Sequence, residues 1–166
     1  MTNSTDQSTV LLVRHCGPDT ASLERFITDQ LDEPRIKSIA TADEAEQWLS
    51  ENDADAVLVN RVIPQTDERG QDWIGRMREQ YPDIPFLLIS NHEDAQEAAK
   101  ENGAAPGFGK RDLGTQEAAQ KLRKVFTESL SKKIQTIYFT NALRHCRALH
   151  MLRPSFFVPR TCELRD

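Results

Sequence analysis

Five short strand-like runs, each followed by a stretch with helical spacing, alternate along most of the chain. In the stretches between the runs, apolar residues recur every three or four positions, as they do on the buried face of a helix. Strands that alternate with helices in this way predict a parallel sheet with helices on both faces. The sequence therefore predicts an α/β fold in a single domain over residues 9–130. The five runs are TVLLV (9–13), RIKSIAT (35–41), DAVLVN (55–60), IPFLLIS (84–90) and PGFGK (106–110).

The remaining sequence divides into helices and a C-terminal segment. Asp19 or Thr20 is expected to cap the first helix, because short polar side chains accept hydrogen bonds from the free N–H groups at a helix start. Residues 131–166 are expected to form a helical extension or tail, and Pro154 and Pro159 exclude a regular helix near its end. The predicted helices cover residues 19–31, 42–53, 71–81, 92–104 and 115–130.

The composition excludes several classes of protein. A net charge of -5 with 38% hydrophobic and 28% charged residues is typical of a soluble globular domain and does not favour nucleic acid as a partner. No apolar run has the length of a membrane span, and the polar N-terminus does not resemble a secretion signal. Three widely spaced cysteines do not form a disulfide framework. We therefore expect a cytoplasmic protein with no membrane partner.

The C-terminal segment differs in charge from the rest of the chain. Five arginines lie between Asn141 and the C-terminus, against only Glu163 and Asp166. This charge is a weak indication of nucleic acid or of an acidic partner. The apolar residues of the segment leave open a contact with a partner protein or a homodimer, to which the helix beginning at Thr115 would contribute.

Polar and reactive side chains follow the strand-like runs. In an open parallel sheet, ligands bind outside the carboxyl ends of the strands. Any site is therefore expected among the residues that follow the first, third, fourth and fifth runs. These residues are Arg14, His15, Cys16, Asn60, Ser90, Asn91 and Lys110.

Three motifs resemble those of the receiver domain of response regulators in two-component signalling. In VLVNRVIP, Asn60 and Pro64 stand where the family has an aspartate followed four residues later by proline. PFLLISNHED places Ser90 at the family's serine or threonine position, and NGAAPGFGK ends in Lys110 at the position of the family's lysine. The resemblance covers residues 9–130. It implies a doubly wound, flavodoxin-like (CheY-like) three-layer sandwich with a five-stranded parallel sheet in the order 2-1-3-4-5.

The acidic residues of this family are missing from the corresponding positions. The family's first strand ends in two acidic residues, and two alternative alignments place Arg14 and His15, or His15 and Cys16, at these degenerate acidic-pair positions. Asn60, at the degenerate phosphoacceptor position, is an amide without a nucleophilic carboxylate oxygen, so an aspartyl phosphate cannot form there. Mg²⁺ prefers carboxylate and water oxygens, which these residues do not supply. We therefore expect neither a metal nor another cofactor.

These departures predict an atypical single-domain response regulator, a pseudo-receiver, in a two-component or phosphorelay network. It would act by protein–protein interaction with a histidine kinase or a downstream effector, without aspartyl phosphorylation and without enzyme activity. Ser90 and Lys110 keep phosphoryl-contact or switch-like positions, and Lys110 is expected to hydrogen-bond the side-chain oxygen of Asn60. Gly107 stands where the family places a switching aromatic residue, with Phe108 one position further.

An anion or small-molecule binding module is the alternative function. The strand-end motifs contribute cationic side chains and no carboxylate, so the pocket would favour an anion where the family binds a cation. The residues of this cationic pocket would be Arg14, His15, Ser90 and Lys110.

Two other hypotheses concern small groups of residues. Asp67 and Glu68, in the loop after the third run, could return a carboxylate to the site and give a working phosphoacceptor. His15, Cys16 and His92 carry ligand atoms that suit zinc or copper, although their spacing matches no metal motif. His15 and Cys16 are not expected to form a base and nucleophile, because neighbouring residues of a strand point to opposite faces.

Overall fold

Strands and helices alternate from Thr9 onward, as the sequence predicts. The structure, a computed structural model, describes residues 7–62 and 68–149, with side chains described as far as residue 135. A short 3-10 turn, Lys110–Asp112, precedes the last helix. The strands are β1 (Thr9–Val13), β2 (Arg35–Ile39), β3 (Ala56–Asn60), β4 (Phe86–Ile89) and β5 (Ala105–Phe108). The helices are α1 (Gly17–Gln30), α2 (Ala42–Glu51), α3 (Gly70–Gln80), α4 (Glu93–Glu101) and α5 (Gln116–Leu149).

The five strands form one parallel sheet in the order β2-β1-β3-β4-β5, which confirms the predicted doubly wound topology. The backbone register places Val13 beside Val59 and Asn60 beside Ile89. The carboxyl ends of β1, β3 and β4 therefore lie together at one edge of the sheet. The pairing of β4 with β5 is irregular next to Ile89.

Helices cover both faces of the sheet, which confirms the predicted three-layer sandwich. Successive residues of a strand point to opposite faces, so β1, β3 and β4 place apolar side chains in two separate cores. One core includes Trp73 and Met77 of α3, and the other includes Leu23 of α1 with Leu122 and Phe126 of α5. Strands buried on both sides must be apolar at nearly every position, which explains the continuous apolar runs of the sequence.

The first helix begins earlier than the sequence predicts. The N-cap is Cys16, whose carbonyl oxygen accepts a hydrogen bond from the N–H of Thr20 at 2.8 Å, so the prediction of Asp19 or Thr20 as the cap is wrong. Pro18 explains the difference, since its fixed φ angle and missing N–H suit the first turn of a helix. Asp19 consequently lies inside the first turn, where a negative charge is favourable.

The chain divides into two compact units, Met1–Lys132 and Lys133–Asp166. The first unit contains the sheet. The described part of the second unit is helical as far as Leu149, and Pro154 and Pro159 lie outside the described residues. None of the helices that the structure describes combines the length and the apolar character needed to cross a membrane.

α3 begins at Gly70, which closely approaches the end of β3. The N–H of Gly70 donates to the Arg61 carbonyl at 2.8 Å, and a Cβ here would overlap the carbonyl oxygen of Asn60. We expect Gly70→Ala to lower the free energy of unfolding by about 1–3 kcal/mol, because a packed site does not accept an added methyl group. Gly17→Ala is the matched control, since nothing lies within 4 Å of a Cβ built at Gly17. Urea unfolding checks this prediction, and equal midpoints for the two variants would contradict it.

Candidate functional site

Asn60 uses both polar atoms of its side chain, one to reach the end of β1 and the other to bind the residue that follows it. Its Nδ2 donates to the carbonyl oxygen of Arg14 at 2.8 Å, and its Oδ1 accepts from the N–H of Arg61 at 3.0 Å. The two contacts fix the orientation of the amide, because the carbonyl can only accept and the N–H can only donate. The side chain that the sequence places at the phosphoacceptor position is thus a link between two backbone segments.

Arg14 has an uncommon backbone conformation that makes this link possible. Its φ angle is 65°, in the left-handed region that few residues other than glycine adopt. Its N–H donates to the Ile39 carbonyl at 2.9 Å, and its guanidinium donates to the carbonyl of Ala40. The carbonyl of Arg14 therefore meets Asn60, while its side chain contacts the residue that follows β2.

His15 is largely buried next to β3. Its Nε2 lies 3.2 Å from the carbonyl oxygen of Leu58, which requires the hydrogen of the neutral ring to be on Nε2. The pKa of His15 is lowered to about 4, chiefly by burial and also by the nearby charge of Lys110, against the opposing effects of the Leu58 carbonyl and of Asp19. His15 is therefore uncharged at neutral pH.

Lys110 forms an ion pair with Asp19, at the start of α1. Lys110 Nζ donates to Asp19 Oδ2, and the two side chains are 29% and 28% exposed. The hydrogen bond from Lys110 and a second one from Cys16 hold the pKa of Asp19 below its ordinary value. The predicted bond from Lys110 to Asn60 is therefore wrong, because the early start of α1 supplies a carboxylate within reach.

Ser90 is buried at the end of β4 and uses its hydroxyl locally. Its Oγ accepts a hydrogen bond from the N–H of His92 at 3.1 Å. The next residue, Asn91, accepts from the N–H of Arg111 at 3.0 Å through its Oδ1, so it links the β4 end to the turn before α5. Both polar side chains thus organise loops.

The predicted cationic pocket is not assembled. The guanidinium of Arg14 donates to Ala40, His15 is neutral, and Lys110 is paired with the carboxylate of Asp19. The expected excess of positive charge is smaller than the strand-end motifs predict, because Asp19 lies outside those motifs and neutralises Lys110, while Arg14 keeps its charge. Asp19 was missed as a partner, although Pro18 before it indicates a helix start that would bring it to this edge.

Glu68 does not supply the carboxylate that one hypothesis required. Its Oε1 and Oε2 each lie 2.9 Å from a nitrogen of Arg76, and the same guanidinium also binds Glu46 of α2 at 3.1 Å. The pKa of Arg76 is raised as a result, chiefly by its hydrogen bond to Glu68. This part of the relocated-acid hypothesis is therefore wrong, whereas Asp67 lies outside the described residues.

The described residues contain no group of three histidine, cysteine or acidic side chains that could hold a metal ion. His15 faces the Leu58 carbonyl and Cys16 hydrogen-bonds Asp19, so neither side chain is directed to a shared ligand with His92. His92 itself is exposed and caps the start of α4. Pro64, the remaining residue of the third-strand motif, lies outside the described residues.

Comparison with known proteins identifies the fold. No protein-family model matches the chain, and no curated protein matches it. Among solved structures, the signal receiver domain of an HD domain-containing protein from Pseudomonas fluorescens is similar, with a TM-score of 0.66 and 20% identity over 80% of this chain and 96% of that one. The signal receiver domain of a DNA-binding response regulator from Colwellia psychrerythraea has a TM-score of 0.62 and 16% identity, over 72% and 98% of the two chains.

A third similar structure is the beryllofluoride-activated NtrC4 receiver domain dimer, with a TM-score of 0.62 and 20% identity over 73% of this chain and 98% of that one. The chain therefore has the fold of response regulator receiver domains, as its three motifs imply. A likeness at 16–20% identity shows the fold alone, so what the domain does must be argued from its own strand-end residues.

The ion pair between Asp19 and Lys110 gives the first prediction for this site. We expect Asp19→Asn to lower the free energy of unfolding at pH 7 by about 0.2–1 kcal/mol, as is usual for a partly exposed pair. Because the pKa of Asp19 is lowered in the folded state, the stabilisation is complete above about pH 4 and is lost as the pH falls through the folded-state pKa. Urea unfolding between pH 7 and 3 should show this difference from the wild type becoming smaller in acid.

A variant without the lysine tests whether the effect comes from the ion pair. In Lys110→Met, the Asp19→Asn substitution should have a smaller effect at pH 7, because the partner charge is gone. An equal effect in both backgrounds would show that the two side chains are not coupled.

The buried ring of His15 gives a second prediction. The unfolded chain binds a proton at this residue near pH 6.5, but the folded chain binds it only near pH 4, so acid favours unfolding between these values. The wild type should therefore lose about 3 kcal/mol of unfolding free energy at this residue between pH 7 and 4, and His15→Gln should not show this loss. Urea unfolding from pH 7 to 4 measures it, with the exposed His92→Gln as control. The same pH dependence in wild type and His15→Gln would contradict the assignment.

Proposed function

We propose that this chain is a pseudo-receiver, a receiver-like domain that acts in signal transduction by protein–protein interaction and is not phosphorylated at the strand-end site. The orientation of Asn60 supports this most directly. Its Nδ2 donates to the carbonyl of Arg14, and its Oδ1 accepts from the N–H of Arg61. An amide in this orientation offers a phosphodonor no anionic oxygen with which to attack phosphorus.

The surrounding donor set supports the same proposal. Mg²⁺ requires oxygen ligands in near-octahedral geometry, with one or two carboxylates as the usual protein anchors. The acidic-pair positions carry Arg14, the neutral ring of His15 and the thiol of Cys16, which do not fit this ion. Among the described residues, Asp19 is a carboxylate near them, and it is already neutralised by Lys110. The proposed mechanism therefore contains no step through a metal.

The partners follow from the class of domain. We infer that a histidine kinase or a downstream effector of a two-component or phosphorelay network binds the folded domain, and that the domain is not an enzyme. We place it in the cytoplasm, where the exposed thiol of Cys16 stays reduced. A homodimer is a further candidate, because one protein of similar fold is described as a receiver domain dimer.

Treatment with a small phosphodonor tests the proposal. We expect acetyl phosphate with Mg²⁺ to leave the wild-type mass unchanged, because position 60 has no nucleophilic oxygen. Intact-mass spectrometry at neutral pH and after mild acid treatment measures any adduct. An acid-labile gain of one phosphoryl group would contradict the proposal and indicate an acceptor elsewhere in the chain.

Asn60→Asp sharpens this experiment. A carboxylate at position 60 restores a nucleophile but cannot donate to the Arg14 carbonyl, so we expect a less stable variant that still gains no phosphoryl group. Asn60→Ala is the control for the lost hydrogen bonds. Phosphorylation of Asn60→Asp would show that the missing acidic pair is dispensable, which would overturn the account of the donor set.

A further inference from the structure

Gln96, in the first turns of α4, reaches the ends of two strands. Its Nε2 lies 3.0 Å from the carbonyl oxygen of Leu88 and 3.0 Å from that of Ser90. The carbonyl oxygen of Phe108, at the end of β5, is 3.2 Å away. One side-chain amide thus faces three backbone acceptors, two on the β4 side and one on β5.

The contacts occur where the pairing of the sheet is irregular. β4 and β5 pair irregularly next to Ile89, so the regular ladder does not provide all the donors that their carbonyl groups need. Ser90 N–H donates to the Phe108 carbonyl at 3.2 Å, and the amide of Gln96 supplies the other donors. Gln96 therefore supplies hydrogen bonds to carbonyl groups of both strands and attaches α4 to them.

Gly107 provides the space for this arrangement. A Cβ at position 107 would overlap the carbonyl oxygen of Leu88 and lie 2.6 Å from Gln96 Oε1. The resemblance to receiver domains places a switching aromatic residue at this position, but the Leu88 carbonyl and the amide of Gln96 leave no room for a larger side chain here. Ser90 stands at the other switch-like position, and its hydroxyl accepts a hydrogen bond from the N–H of His92.

We propose that Gln96 is a positioning residue that holds α4 on β4 and β5 in a single arrangement. The surface that α4 forms beside Gln96 then keeps one shape. Gln96 forms part of the wall of a cavity of about 490 Å³ between α4 and the first turns of α5, which is lined by Glu97, Lys100, Glu117 and Lys121 among others. The inference goes beyond the proposed function, because it concerns the mobility of α4 and not the chemistry at Asn60.

Gln96→Met is the informative variant. Methionine keeps the length of the side chain and a high helix propensity but has no N–H donor. Glu97→Gln is the matched control, since it alters the neighbouring exposed residue of the same helix. We expect amide hydrogens of Glu93–Glu101 to exchange about 10-fold faster in Gln96→Met, from the loss of hydrogen bonds that act locally. Amide exchange in β1 and α1 should stay within about 2-fold of the wild type, as in Glu97→Gln.

NMR relaxation dispersion on the wild type provides a measurement that needs no variant. We expect flat profiles for the amides of α4, and millisecond exchange in Gln96→Met. Millisecond exchange of α4 in the wild type would overturn the inference. So would equal acceleration of amide exchange in all elements of Gln96→Met, since that result would mean a general loss of stability. Neither outcome bears on phosphorylation, because Gln96 does not contact Asn60.

Discussion

The burial of β1, β3 and β4 on both faces determines where polar chemistry can lie in this domain. Side chains from either face of these strands enter an apolar core, where an unpaired polar group costs about 1–3 kcal/mol. Polar side chains are therefore confined to the strand ends, where the backbone leaves the sheet and its last carbonyl and N–H groups need partners. An amide meets this need well, because it donates and accepts at once, as Asn60 does between Arg14 and Arg61.

Side-chain hydrogen bonds and one ion pair hold the strand ends together. Asn60 joins β1 to β3, the ion pair of Lys110 with Asp19 joins the end of β5 to α1, and Gln96 joins α4 to β4 and β5. The three contacts share a cause, since each pairs a backbone or charged group that the parallel topology brings to the same edge. Together they connect every strand end except that of β2, which Arg14 reaches through the Ala40 carbonyl.

The strands could be predicted because their signals are local: apolar runs of strand length with helical spacing between them. Their order could be predicted only because three short motifs resemble those of receiver domains. The partner of Lys110 could not be predicted, because a lysine side chain reaches several ångströms. Whether it contacts Asn60 or Asp19 depends on where α1 begins. Pro18 set that beginning one turn earlier than the capping preference of Asp19 suggested. The contacts of Gln96 depend on the irregular β4–β5 pairing, which has no sequence signature beyond the glycine at position 107.

The contacts around Asn60 also do not suit a carboxylate introduced there by a single substitution. The left-handed backbone of Arg14 presents a carbonyl oxygen to position 60, so an acceptor-only side chain there faces another acceptor. Lys110 is occupied by Asp19, and it becomes available to a new anion at position 60 only if that pair opens. Such a carboxylate would lose the hydrogen bond to Arg14 before it could gain Lys110, which costs stability. The amide of Asn60 and the turned carbonyl of Arg14 therefore favour each other, and the ion pair with Asp19 occupies the lysine that an anion at position 60 would need.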